Sequence, residues 1–220
     1  MHNFKTKEEH AQYYQKVARE EWFKNHKIHV ENFESDTRAN AVTVIDFGEP
    51  GTNVYAVRYI FAGHYVYVSG DLGCAVFNCT WKTSPSDRHW HSLWYVHEKL
   101  AASEGEVWDF DSDVCRATMR EQLLEQDKRG NHTVYPERWG TEEKAVFRAL
   151  IQQAEEANSR EGWATAIQEV DHLDGPVSSI DGDYWEWLYS AGNVLPARIV
   201  GIITGLQIIQ EKITEEEKEQ

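Results

Sequence analysis

Three short stretches hold the residue types that chemistry needs. Val68-Ser69-Gly70-Asp71-Leu72-Gly73 sets one carboxylate between two glycines where the chain reverses. A carboxylate acting as general base or nucleophile needs a second acid or a histidine beside it. His64, the nearest histidine in that region, falls at the preceding reversal, which in a meander lies at the opposite end of the strand. Gly70 and Gly73 supply the positive φ angles of a tight turn, and an aspartate hydrogen-bonds nearby backbone N–H groups. The stretch therefore reads first as a turn, with Asp71 a binding or catalytic candidate second.

The run Arg88-His89-Trp90-His91-Ser92-Leu93-Trp94-Tyr95-Val96-His97 invites a metal reading. On a helix His89 and His91 stand about 200° apart, so they cannot share one ion. No metal and no cofactor is expected. Trp90 and Trp94 fall on one helical stripe and are candidate binding anchors, since buried tryptophans dominate interface energetics. Asp109-Phe110-Asp111-Ser112-Asp113 imitates the opening of a calcium loop, but Val114 stands where glycine belongs and Arg120 where a bidentate glutamate belongs. Asp109, Asp111 and Asp113 read instead as a helix N-cap cluster, retained as acidic binding candidates. No nucleophile elbow, phosphate loop, dinucleotide fingerprint or zinc-protease pair occurs.

The charge balance narrows the partners. The chain has 37 acidic against 22 basic residues in 220, a net charge of −15. Such a chain repels phosphates and gains nothing from counterion release, so direct nucleic-acid binding is not expected. An acidic surface suits a basic protein partner, and proteins that handle nucleic acid are basic in their grooves. Cys74, Cys79 and Cys115 are odd in number and lack ligand spacing. Cys74 and Cys79, five apart on an expected strand, point to opposite faces and do not bridge each other. Reduced thiols and the lack of an apolar stretch in MHNFKTKEEH fit a cytoplasmic protein. The most apolar window, Val194 to Ile209, is broken by Pro196, Arg198 and Gln207 and reads as a buried helix, with no membrane partner.

The elements that hold these residues follow from periodicity. Thr6-x-x-Glu9 is a capping box opening a helix near residues 7–25. The period then falls to two. Ile28 and Val30 begin a strand, Glu34 to Asn40 is a loop, and strands are expected near residues 42–47, 54–61, 65–69 and 74–81. Short reversals at residues 49–53, 62–64 and 70–73 require an antiparallel meander of four to five strands. Large residues on both faces suggest that the sheet is covered on both sides, at least in part. From Ser86 the pattern is helical, with Trp90, Leu93, Trp94, His97, Leu100 and Ala101 on one stripe. Further helices are expected at residues 113–128, after a Thr141 cap, around Trp163 to Val170, at Tyr184 to Tyr189, and from Pro196 onward. The tail Thr214 to Gln220 is expected to fray. The fold class is α+β: an N-terminal helix, the meander, then a C-terminal helical lobe. The expected division is 1–130, sheet with covering helices, and 131–220, helical lobe. Gly201-x-x-x-Gly205 lets another backbone approach, either within the chain or from a second copy in a homo-oligomer.

The run Tyr65 to Phe77, YVYVSGDLGCAVF, followed by Lys99-Leu100-Ala101-Ala102-Ser103-Glu104, resembles small proteins encoded by phages and prophages. In these an SGD-G-AVF-like hairpin precedes a K-x-x-A-S-E-type segment. The resemblance spans residues 50 to 115 and carries over no catalytic residue. It implies an accessory protein acting on host machinery, such as the phage inhibitor of the Gabija nuclease–helicase defence. The resulting expectation is a non-enzymatic inhibitor in the bacterial host cytoplasm. It would bind a host defence protein, a nuclease or helicase complex, and block that complex's access to nucleic acid. The alternative is a hydrolase or nucleotide-sequestering protein using Asp71 with the acidic and histidine clusters.

Overall fold

Thr6 starts the first helix by accepting the Glu9 N–H on its hydroxyl at 3.1 Å, while the Glu9 carboxylate receives the Lys5 N–H at 2.8 Å. The computed structural model describes residues 4–33 and 42–219, so the expected Glu34–Asn40 loop lies outside the described residues. Helix α1 (Lys7–Val17) continues into a π-helical turn, Ala18–Trp22. Strands β1 (Lys27–Phe33), β2 (Val42–Gly48), β3 (Val57–Ala62), β4 (Tyr65–Gly70) and β5 (Ala75–Asn78) follow. A 3₁₀ turn (Arg88–His91) and α2 (Leu93–His97) lead to β6 (Leu100–Ser103). The six strands form one antiparallel sheet in sequence order.

Alternation sorts the sheet's two faces. Ile45, Phe47, Val57, Tyr59, Phe61, Val66, Val68, Ala75 and Phe77 are buried on one face. On the other, Val44, Ile60, Tyr67 and Val76 align in cross-strand register, and Tyr65 stacks on Tyr67 with rings 5.9 Å apart. Tyr65 and Tyr67 stay 40% and 43% exposed. Cover on this second face is therefore partial.

Two local expectations also change. Residues 53–56 are a turn rather than the start of β3, with Tyr55 in the left-handed region at φ 54°. Leu100 and Ala101 do not continue the helical stripe, because the segment pairs with β5, bulging between Val76 and Phe77.

Beyond β6 the chain builds β7 (Asp109–Phe110), α3 (Ser112–Leu123), β8 (Glu125–Gln126), β9 (His132–Val134), α4 (Thr141–Glu156), α5 (Arg160–Leu173) and α6 (Tyr184–Trp187). β10 (Asn193–Val194) and α7 (Ala197–Glu219) complete the chain. Helix α3 stops at Leu123, short of the expected 128, because the chain turns into the β8–β9 hairpin. Gly140 rather than Thr141 caps α4, its N–H donating to the Glu143 carboxylate at 2.8 Å. Helix α7 runs to Glu219 through the segment expected to fray.

The chain divides into two compact units, each discontinuous in sequence. One comprises residues 1–10 and 108–195, the other residues 11–107 and 196–220. The expected division near residue 130 runs through the β8–β9 hairpin inside the first of these. In the helical unit, Met119, Trp139, Phe147, Leu150, Trp163, Ile167 and Leu188 share one core, and the Trp163 indole donates to the Leu188 carbonyl at 2.8 Å.

In the sheet unit α7 lies on the buried face, and its two glycines make the close approach possible. A Cβ on Gly205 would stand 2.2 Å from the Tyr59 hydroxyl oxygen, and one on Gly201 would stand 2.7 Å from the Trp22 ring. Tyr59 donates to the Ile202 carbonyl at 2.8 Å. Gln207, buried on α7, accepts from the Gln15 amide at 3.2 Å and donates to the His91 carbonyl at 3.1 Å. Of the two uses expected for Gly201-x-x-x-Gly205, the contact within the chain is therefore realised.

Candidate functional site

Asp71 sits in the β4–β5 reversal, and its carboxylate is engaged by backbone. Its Oδ2 accepts the Tyr55 N–H at 2.8 Å, while its own N–H donates to the Ala56 carbonyl at 2.9 Å. Gly70, at φ 139°, allows that approach, since a Cβ there would fall 2.2 Å from the Ala56 oxygen. Tyr55 is held from three sides. Besides Asp71, the Tyr55 carbonyl accepts from His26 Nε2 at 3.1 Å, and its ring stacks on Trp22 at 5.1 Å. A left-handed backbone is costly for a bulky side chain and persists where its surroundings over-determine it. Asp71 is one of those constraints.

Asp71, Leu72 and Gly73 also line a pocket of about 380 Å³ with Glu104, Gly105 and Arg198. Glu104 Oε2 accepts the Cys74 N–H at 3.1 Å. The Arg198 guanidinium donates through Nη2 to Ser103 Oγ at 3.2 Å and to the Glu106 carbonyl at 2.9 Å. Its Nη1 is buried without a hydrogen-bond partner among the described residues. Among the described residues its ionisable lining is Asp71, Glu104 and Arg198, with no histidine. The arrangement sets two carboxylates and one guanidinium around one pocket. Glu104 and Arg198 escaped the sequence reading because they lie about 30 and 130 residues from Asp71 and only the meander and α7 bring them together.

The two candidate tryptophans differ in exposure. Trp90 is fully buried, donating its indole N–H to the Ser84 carbonyl at 2.8 Å and packing on Phe61. Trp94 is half-buried on α2. The histidine run makes an aromatic stack instead of an ion site: Trp81 lies 4.3 Å from the His89 ring and 5.8 Å from Tyr95, with the Lys99 ammonium 4.4 Å above Tyr95. Among the described residues no group of three or more His, Cys, Asp or Glu is placed to hold a metal.

The acidic triplet belongs to the helical unit. Asp111 Oδ1 caps α3, accepting the Asp113 and Val114 N–H groups at 2.9 Å each. Asp109 caps its neighbour, accepting the Phe110 N–H at 2.8 Å. Asp113 pairs with Arg116, which also reaches Glu155 at 3.3 Å. Asp113 lines a second pocket of about 570 Å³ together with Lys5, Arg116, Arg120, Glu121 and His132.

The feature missed in the sequence lies at the far end of α5 and at α6. Trp185 is 62% exposed and Leu173 is 76% exposed, the two most exposed large apolar side chains among the described residues. Trp187, two residues on, is half-buried and donates to Asp181 at 2.8 Å. Burial first, then the Asp171 charge, holds the Tyr184 phenol above its ordinary value. Asp171, Asp174, Asp183 and Glu186 are all exposed around these two segments. A solvated tryptophan with acidic neighbours is suited to a cationic surface, where cation–π attraction and charge pairing act together.

Comparisons of the chain with protein-family models, with curated proteins and with solved structures find no match.

Proposed function

We propose that this protein acts by occupancy, binding a basic protein surface through the acidic end of its helical unit. In the setting that the phage resemblance suggests, the target is a host defence complex with a nucleic-acid groove, and the bound protein excludes the nucleic acid without turnover. The observation that carries this reading is Trp185, solvated at 62% beside Asp183 and Glu186 in a chain of net charge −15. Interface hot spots are enriched in tryptophan, and acidic rims speed encounter with basic partners.

The test is capture from the bacterial host with the wild-type chain and with Trp185→Ala in parallel. The expected result is a basic nucleic-acid-handling protein retained by the wild type and at least tenfold depleted with Trp185→Ala. Its nuclease or helicase activity should fall stoichiometrically with added chain. Catalytic turnover of a nucleotide or nucleic acid by the purified chain, with no protein captured, overturns the reading.

A second reading, nucleotide sequestration, has one observation in its favour: Lys5, Arg116 and Arg120 line the pocket of about 570 Å³. Calorimetric binding of a nucleotide to the wild type that is lost with Arg120→Ala would select it over the first.

A further inference from the structure

The two edges of the sheet are built differently. β6 is four residues long, carries the exposed small residues Ala101 and Ala102, and is broken by a bulge, which is how edges are protected from pairing. β1 has none of those protections. It pairs with β2 through seven unbroken positions, from Lys27 opposite Gly48 to Phe33 opposite Val42, and no other strand pairs with it among the described residues. It has no proline, and all its side chains but Ile28 are exposed, including Val30 at 42% and Phe33 at 54%. A long, regular, exposed edge offers unpaired backbone groups to another strand.

The sequence of that edge is complementary to itself. Laid antiparallel to a second copy about His29, Lys27 stands opposite Glu31 twice, Ile28 stands opposite Val30 twice, and His29 faces its own counterpart. Across Lys27–Glu31 both charged pairs are then attractive and Ile28 meets Val30 on the same face, while Phe33 lies beyond these paired positions. Centring on Val30 instead would set Ile28 against Asn32. Opposite charges and β-branched pairs directly across antiparallel strands stabilise the pairing, whereas like charges destabilise it.

We propose that β1 is a homodimer edge, joining two copies about a twofold axis through His29 into one continuous antiparallel sheet of twelve strands. The occupant is a second copy of this chain, and the interface is independent of the Trp185 surface. A strand-only contact is small, so the affinity is micromolar. The chain's net negative charge opposes association at low ionic strength, so measurement belongs near 0.15 M salt, where screening confines charge effects to about 8 Å.

The test is sedimentation equilibrium of the full chain with charge-reversed variants at exposed positions, which leave the fold intact. Wild type dimerises. Lys27→Glu and Glu31→Lys are each at least tenfold weaker, because both cross-strand pairs become like-charged. Mixing the two single variants restores association as a heterodimer, as does the double swap in one chain. In a Cys74→Ser background, His29→Cys cross-links to its counterpart on mild oxidation, since facing residues on antiparallel strands fall within disulfide reach. A wild type that stays monomeric to 100 μM overturns the proposal. So does a dimer indifferent to both charge reversals, and a dimer in which His29→Cys fails to cross-link overturns its register.

Discussion

Asp71 reads in the sequence first as a turn residue, and its geometry gives it a positioning contact. One carboxylate oxygen holds the backbone N–H of Tyr55, a residue whose φ of 54° is strained for an aromatic side chain. A positioning role and a reactive role respond differently to substitution. Asp71→Asn keeps an acceptor for the Tyr55 N–H, so it should cost little stability and leave partner capture unchanged. Asp71→Ala removes the acceptor and should cost about 1–2 kcal/mol, read by denaturant unfolding. Loss of function by Asp71→Asn in a normally folded chain would instead mark the carboxylate as a reacting group. Gly70→Ala tests the same clamp from the other side. A methyl placed 2.2 Å from the Ala56 oxygen, on a backbone at φ 139°, should destabilise by about 2–3 kcal/mol.

The packing of α7 on β3 makes an equally specific demand. Gly205 sits mid-helix, where alanine is intrinsically better by about 1 kcal/mol. Its Cβ would nonetheless meet the Tyr59 hydroxyl oxygen at 2.2 Å and the ring carbon behind it at 3.2 Å. Gly205→Ala should therefore destabilise by about 2–4 kcal/mol, and Tyr59→Phe alone by about 1 kcal/mol through the lost bond to Ile202. Combined, they should cost less than their sum, since removing the hydroxyl removes the worst clash. Thermal melts of the four proteins close that cycle. Gly201-x-x-x-Gly205 was legible in the sequence as a site of close approach, but the partner was not, because a glycine pattern names no neighbour. The reversals at Gly63 and at Gly70–Gly73 were legible for the opposite reason: their chemistry is local, written in glycine and aspartate. β6 was not. Leu100 and Ala101 continue a helical period from Trp90, and only the open edge of β5 draws them into a strand, a case of tertiary pairing overriding local pattern.

Solvent exposure is a property of the folded molecule, which is why the nine tryptophans could not be sorted in advance. Trp90 and Trp163 were indistinguishable in type from Trp185, yet the first two are fully buried and the third is solvated. The same distinction applies to the histidines and sets how the whole fold answers acid. His10, His26 and His97 are buried, and burial, the largest cause in each case, holds all three below the ordinary value of 6.5. For His26 the Tyr55 carbonyl and Glu49 pull upward and Lys212 pulls downward, without reversing the direction. His26 packs between Phe23 and Phe47 with ring centroids 5.0 Å away, and its Nδ1 has no hydrogen-bond partner among the described residues. Protonation would therefore add an unpaired N–H and a charge inside an aromatic cage. In the unfolded chain these rings take up protons near pH 6.5; in the folded chain they do so only at lower pH. Between those limits the unfolded state binds more protons, so stability is full above about pH 6.5 and falls as pH drops below it. Chemical denaturation from pH 8 to pH 5 should show a flat limb, then a decline starting near 6.5. His26→Phe, which fills the cage without a titrating group, should make that decline shallower. An acid limb of unchanged slope in His26→Phe would show that the other buried groups carry the proton linkage.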